Sequence, residues 1–300
     1  MDTQPNNSAS QHPVSDNNNK DEQVTDEEDS NEPTFKGFRD IGVCSDQNWK
    51  HRRRMEDAHY IEDAFNNNPE QAFFAVYDGH GGKECANFCA ENLHKILKEN
   101  LDALGHHKIE KEPQSVLEVL KTTYLHTDNK IKEGGVPGHH GCTSVTCFIA
   151  GSLKNSNRQL FCANAGDGRA VLCRDGKAIR LTEDHKVSNE VEAQRIKDVG
   201  GFIINGRVNG QIIITRSLGD HLMKEYIIGE PYTRHEVLSD KDTHLIVACD
   251  GLWDVVEDQQ AVDFVLQHDS ASASDIAKKL LVKALQDGST DNLSIIVVKL

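Results

Sequence analysis

Residues 71–82 read QAFFAVYDGHGG. The seven residues Gln71–Tyr77 carry no charge and are rich in Phe, Val and Tyr, which predicts a short buried strand. An acid follows at once, Asp78, then Gly79, His80 and two more glycines. A carboxylate delivered by a buried strand is held at a fixed point, as a chemical group must be. The same grammar recurs along the chain. HLIVAC (244–249) runs into Asp250-Gly251, FCANAG (161–166) into Asp167, and Asp291-Asn292 stands directly before LSIIVVK (293–299).

Further short apolar runs predict strands over Val145–Ala150, Gln159–Asn164, Arg169–Cys173 and Lys177–Leu181, with Asp175-Gly176 as a hairpin turn between the last two. Helical spacing appears over Lys83–Asn100, where Ala86, Cys89, Leu93, Ile96 and Leu97 form one stripe. It recurs over Gln114–Glu133, Ser188–Val199 (with Ser188 as the entry cap), Gln259–Gln267 and Ser274–Gln286. Strands come in hairpins and helices in separate blocks. That predicts an α+β domain, antiparallel sheets with helices packed outside them, rather than a βαβ repeat.

The 300 residues carry a formal net charge of −15, against a basic nucleic-acid face or docking on an anionic membrane. More than half of that charge comes from residues 1–34, which hold nine acids, one base and no aromatic residue. Such a stretch cannot bury enough apolar surface to offset its ordering entropy, so it is expected to be a disordered acidic tail. Residues 35–300 read as one globular domain. No apolar run approaches the roughly 18–20 residues of a membrane span, so a cytoplasmic or nuclear protein is expected. The eight cysteines form no C-x-x-C pair and sit beside apolar residues, which reads as small buried hydrophobes in a reducing compartment.

A single Asp-Gly after a strand is more often a turn than a ligand. Several in one domain, joined by Glu56-Asp57, make a more specific pattern, although spacing alone does not bring them together. If they converge, their mutual repulsion calls for a cation. All-oxygen donors select hard ions such as Mg²⁺ or Mn²⁺, and Gly79 lets the backbone approach closely enough for its carbonyl to add a donor. Two such ions clamp a phosphoryl group for in-line attack. The remaining parts would be a phosphate-binding cation, from His51–Arg54, and a proton donor such as His80. Each has a plainer reading, a solvated basic face and a structural histidine in a glycine-rich turn.

These segments resemble the metal-dependent type 2C protein serine/threonine phosphatases. The matching blocks are RRRMEDAHY (52–60), FFAVYDGHGG (73–82), GCTSV (141–145), ANAGDGRAVL (163–172), LTEDHK (181–186), TRSLGD (215–220), LIVACDGLWDVV (245–256) and GSTDNLSIIVV (288–298). They fall in the family's order and span nearly all of residues 38–300. The resemblance, strongest to small single-domain fungal and protist members, implies a central β-sandwich of two antiparallel sheets flanked by helices on both faces. It implies metals at one end between the sheets.

It also implies roles. Asp78 bridges two Mn²⁺ or Mg²⁺ ions, the Gly79 carbonyl binds one of them, and Asp250 and Asp291 bind the other. Glu56 holds metal-bound water with Asp57 in support. Arg52 binds the phosphate and His80 is the general acid. Asp167 and Asp254 belong to a weaker third metal site, and Asn292 supports the centre. A metal-bridging water attacks phosphorus directly, without a phospho-enzyme. The implied partners are phosphoprotein substrates, with kinases of a stress-activated cascade among them, and the chain is expected to be a monomer.

One departure is visible: Gly166-Asp167-Gly168-Arg169 stands where the family has G-D-S-R, which touches the third site and not the main pair. Two rival readings use the same features. A non-catalytic adaptor would have lost metal ligands, and none is lost. A two-metal nuclease would need a basic, aromatic-studded groove that the acidic body does not offer.

Overall fold

The computed structural model describes residues 40–151 and 158–300; the acidic stretch 1–34 lies outside them. In chain order come strands β1 (Asp40–Asp46), β2 (Ala58–Asp63) and β3 (Gln71–His80), then helices α1 (Glu84–Leu104), α2 (His106–Lys111) and α3 (Pro113–Glu133). Strands β4 (Gly141–Ala150), β5 (Gln159–Ala165), β6 (Arg169–Arg174) and β7 (Lys177–Arg180) lead to α4 (Glu190–Asp198). Three short strands follow, β8 (Ile203–Ile204), β9 (Arg207–Val208) and β10 (Leu218–Gly219), then β11 (Tyr232–Val237) and β12 (Asp242–Ala248). The chain closes with α5 (Asp250–Trp253), α6 (Asp258–Gln267), α7 (Ala273–Gln286) and β13 (Leu293–Lys299).

The strands make two antiparallel sheets. One has the order β1-β13-β12-β6-β7, the other β11-β5-β4-β3-β2 with β10 added beside β4. Helices cover both outer faces, giving the α+β sandwich expected from the sequence. Three apolar layers hold it together. Phe73, Tyr77, Leu93, Leu97, Tyr124 and Phe148 pack between the second sheet and α1–α3. Phe74, Val76, Val145, Leu172, Val247 and Ile296 fill the space between the sheets. Ile246, Ile276, Leu280, Ile295 and Val297 lie between the first sheet and α5–α7.

Strand β3 shows why Ala72–Tyr77 is an uncharged, largely apolar run. Side chains alternate across a strand, so Phe73, Ala75 and Tyr77 face the helices while Ala72, Phe74 and Val76 face the other sheet. Both faces are buried over Ala72–Tyr77, so this stretch leaves no place for a charged residue. Each fully buried Phe contributes about 1.5–3 kcal/mol relative to exposure.

Two local expectations need correction. Asp78-Gly79 is not a turn at the end of a strand: the ladder continues, with Asp78 opposite Thr143, Gly79 opposite Cys142 and His80 opposite Gly141. The cap of α4 is Asn189, not Ser188, and its side chain accepts from the backbone N–H groups of Val191 and Glu192. The Asp175-Gly176 hairpin forms as expected. Both residues adopt positive φ, 53° and 74°, in a two-residue loop that closes Arg174 onto Lys177.

Candidate active site

Five carboxylates reach one end of the sandwich from separate elements. Asp57 precedes β2, Asp78 lies within β3, and Asp167 lies between β5 and β6. Asp250 opens α5 directly after β12, and Asp291 directly precedes β13. The donor atoms of Asp57, Asp78 and Cys249 all lie within 4.8 Å of one another. Burial, followed by the charges of Asp57, Asp250, Asp167 and Asp291, holds Asp78 well above the ordinary carboxylate range. Asp250 is raised well above it too, by burial and then by Asp167, Asp254 and Asp291. Burial pushes Asp57 up to about 6. The sequence pattern left convergence open; the fold supplies it.

Such a cluster is unfavourable by itself, because like charges at short range cannot all ionise in a buried place. Its hydrogen bonding is incomplete as well. Both oxygens of Asp57 and Oδ1 of Asp250 are buried without a hydrogen bond of ordinary geometry. A buried polar atom without a partner costs about 1–3 kcal/mol, and more when charged. Cys249 is the one sulfur beside them, and burial with the charges of Asp57 and Asp78 holds its thiol well above the usual range, so the donors on offer are carboxylate oxygens. Unpartnered, mutually repelling carboxylates fit hard divalent cations. The residues present therefore suit the implied group.

The surrounding loops are tied to this end. Asn292 donates from Nδ2 to the carbonyls of Gln47 (2.7 Å) and Arg54 (3.0 Å), and its Oδ1 accepts from the Glu56 N–H (2.9 Å). That fastens residues 47–56, which carry Arg52, to the start of β13. The Arg52 guanidinium reaches Asp291 and also donates to the Thr290 carbonyl at 3.3 Å. Its side chain stays 47% exposed, so it faces solvent at the mouth of the cluster. Glu56 is half-buried, with its backbone in the site. Gly79 is needed sterically: a Cβ there would stand 2.4 Å from the Glu56 carbonyl oxygen.

Two residues that sequence reasoning did not single out complete the arrangement. Asp220 Oδ2 lies 2.7 Å from His80 Nε2 and accepts from Ser217 Oγ at 2.5 Å. Burial works against the His80 imidazolium, but Asp220's hydrogen bond and charge outweigh it, and the His80 pKa is raised. Lys186 Nζ stands 2.9 Å from Asp254 and 3.2 Å from Asp167, so a lysine already bridges the two acids expected at a third metal site. Both residues lie in the TRSLGD and LTEDHK blocks, and that was the only sequence signal for them. Arg53 and Arg54 are exposed.

An antiparallel sandwich with clustered acids, an exposed arginine and a carboxylate-held histidine defines a hydrolase for phosphoryl groups. The comparisons narrow this. The family model described as "Protein phosphatase 2C" matches residues 39–293. The chain is 41% identical over 261 residues to "Protein phosphatase 2C homolog 1" of Schizosaccharomyces pombe, covering 86% of this chain and 72% of that one. It is 38% identical over 269 residues to "Protein phosphatase 2C homolog 1" of Saccharomyces cerevisiae, covering 86% and 92%. The crystal structure of serine-threonine phosphatase 2C from Toxoplasma gondii shares the fold, with a TM-score of 0.77 at 21% identity over 89% of this chain and 96% of that one. The chain belongs to the protein phosphatase 2C family, and it is a protein phosphatase.

Proposed function

We propose that this protein hydrolyses phosphoserine and phosphothreonine in proteins by direct attack of water on phosphorus, without a phospho-enzyme. The observation that carries the reading is the cluster Asp57, Asp78, Asp250 and Asp291, all raised in pKa, with oxygens of Asp57 and Asp250 buried and short of hydrogen bonds, beside an exposed arginine.

Asp78, the Gly79 carbonyl, Asp250 and Asp291 would hold two Mn²⁺ or Mg²⁺ ions, with Glu56 and Asp57 in support and Asp167 and Asp254 offering a weaker third place. When bound, such ions supply an acidified water as nucleophile and neutralise phosphoryl charge. The protein's own groups do the rest. Arg52 exchanges its Asp291 contact for a phosphate dianion, which its planar fork matches in geometry. His80, held by Asp220, gives its proton to the departing seryl or threonyl oxygen. Asn292 keeps the Arg52 loop in register with Asp291. Residues 35–300 make up the catalytic domain and residues 1–34 an acidic tail. The protein acts as a monomer in the cytoplasm or nucleus on phosphoprotein substrates, with kinases of a stress-activated cascade among them.

The test is turnover of a phosphothreonine peptide with Mn²⁺, with excess EDTA, and in Asp78→Asn. Activity that requires Mn²⁺ and is abolished by EDTA and by the substitution is expected. Full activity in EDTA or in Asp78→Asn overturns the reading.

A further inference from the structure

Three cysteines that the sequence leaves apart meet behind the active site. Cys85 and Cys89 stand four apart on α1, a spacing that puts both on one face of a helix. Cys142 faces them from β4. Cys142 Sγ lies 3.3 Å from Cys85 Sγ and 3.5 Å from Cys89 Sγ, and all three sulfurs lie within 4.8 Å of one another. All three residues are fully buried. A fourth donor adjoins them: the Leu218 carbonyl is 3.3 Å from Cys85 Sγ. The backbone leaves room for this, since a Cβ on Gly219 would stand 2.8 Å from Cys85 Sγ.

We infer that Cys85, Cys89 and Cys142, with the Leu218 carbonyl, form a binding site for a thiophilic divalent d¹⁰ cation of the Zn²⁺ class, separate from the carboxylate cluster. Sulfur donors select such ions, whereas the carboxylates select Mg²⁺ and Mn²⁺. With Zn–S bonds of about 2.3 Å, sulfurs around one ion stand roughly 4 Å apart, so the triad opens by about half an ångström. Binding releases the three thiol protons to solvent and leaves three thiolates on one ion. A divalent ion then leaves one net negative charge in the core and a monovalent ion leaves two, and buried net charge is costly, so the divalent class is favoured.

Cys147 and Cys162 also approach each other, at 3.4 Å, but no third donor of the thiol, imidazole or carboxylate type joins them among the described residues. The triad would fasten α1, β4 and the Leu218–Gly219 segment together, directly behind the ladder that carries Gly79 and His80.

The experiment uses the full, reduced chain under anaerobic conditions with Cd²⁺ as probe, because cadmium bound to sulfur gives an ultraviolet charge-transfer absorption and cadmium bound to carboxylates does not. One equivalent of this absorption is expected in the wild type, unchanged in Asp78→Asn and lost in Cys85→Ala and Cys142→Ala. Absence of the absorption in the wild type, or its persistence in both cysteine variants, overturns the inference. Cadmium-113 NMR on the wild type needs no substitution: a resonance in the region of three sulfur ligands supports the site, and resonances only in the region of oxygen or single-sulfur ligation refute it.

Discussion

His80 Nε2 and Asp220 Oδ2 stand 2.7 Å apart, joining the end of β3 to a residue 140 positions later in the chain. The backbone is shaped for this pair. Asp220 adopts a left-handed φ of 48°, uncommon for a residue with a side chain, while its N–H donates to the His140 carbonyl. Ser217 fixes the same carboxylate oxygen. Gly141 keeps the space open, because a Cβ there would stand 2.1 Å from Asp220 Oδ2 and 2.5 Å from His80 Nε2. Strain of this kind persists where surrounding structure over-determines it, commonly at functional sites.

If Asp220 orients and sustains His80 as proton donor, its loss hurts most where the leaving group needs a proton. Asp220→Asn is expected to lower kcat on a phosphothreonine peptide by about 10²-fold, the low end for general acid catalysis. On p-nitrophenyl phosphate, whose leaving group departs unprotonated, the loss should be under tenfold. Side-by-side steady-state kinetics on the two substrates checks this. Equal losses would reduce Asp220 to a structural role.

Lys186 gives a second prediction. Burial disfavours its charge, yet Asp167 and Asp254 outweigh that and hold its pKa above the ordinary lysine range. The ammonium thus supplies the positive charge that a third cation would bring. Lys186→Met removes it and leaves Asp167 and Asp254 to repel each other. Mn²⁺ titration of the variant by calorimetry should show a third equivalent binding at least about tenfold more tightly than in wild type, a change of 1.4 kcal/mol. An unchanged isotherm would show that the lysine does not compete.

A third concerns stability and pH. Glu192 on α4 is almost fully buried and accepts from Arg216, Arg195 and the Thr215 hydroxyl. Burial opposes its ionisation, but Arg216 and then Arg195 prevail and lower its pKa from 4.5 to about 2. A carboxylate depressed in the folded state contributes stability that is present above its unfolded pKa and lost as pH falls through the folded one. That contribution should therefore decline between about pH 4.5 and pH 2. Glu192→Gln strips the partly buried Arg195 and Arg216 of their buried partner and should cost about 3 kcal/mol at pH 7. Urea denaturation across this pH range checks both points, and the wild-type and variant curves should converge toward pH 2.

What the sequence disclosed follows the physics of burial. Most strands read correctly, such as Gln71–Tyr77 and Leu293–Lys299, are central strands with long apolar runs; the edge strand β7 was read from the Asp175-Gly176 turn beside it. Apart from the two-residue strands β8, β9 and β10, the strands not read, β1, β2 and β11, are all sheet edges. Their sequences DIGVCSD, AHYIED and YTRHEV are half-buried and carry charges, so they lack the apolar run that marks a central strand. The acids of the site were legible as motif residues. Asp220 and Lys186 were visible only as members of blocks, because their partners are set by tertiary contact and not by spacing. The cysteine triad was half legible: four-residue spacing pairs Cys85 with Cys89, but nothing in the sequence points to Cys142.

The central claim is that Asp78 is the shared ligand of two hard cations. The most direct test is a crystal structure grown with Mn²⁺ and recorded at an energy where manganese scatters anomalously. The expected result is two anomalous peaks, both in contact with Asp78, one also against the Gly79 carbonyl and the other against Asp250 and Asp291. Peaks that avoid Asp78, or an empty carboxylate cluster at saturating Mn²⁺, would contradict it.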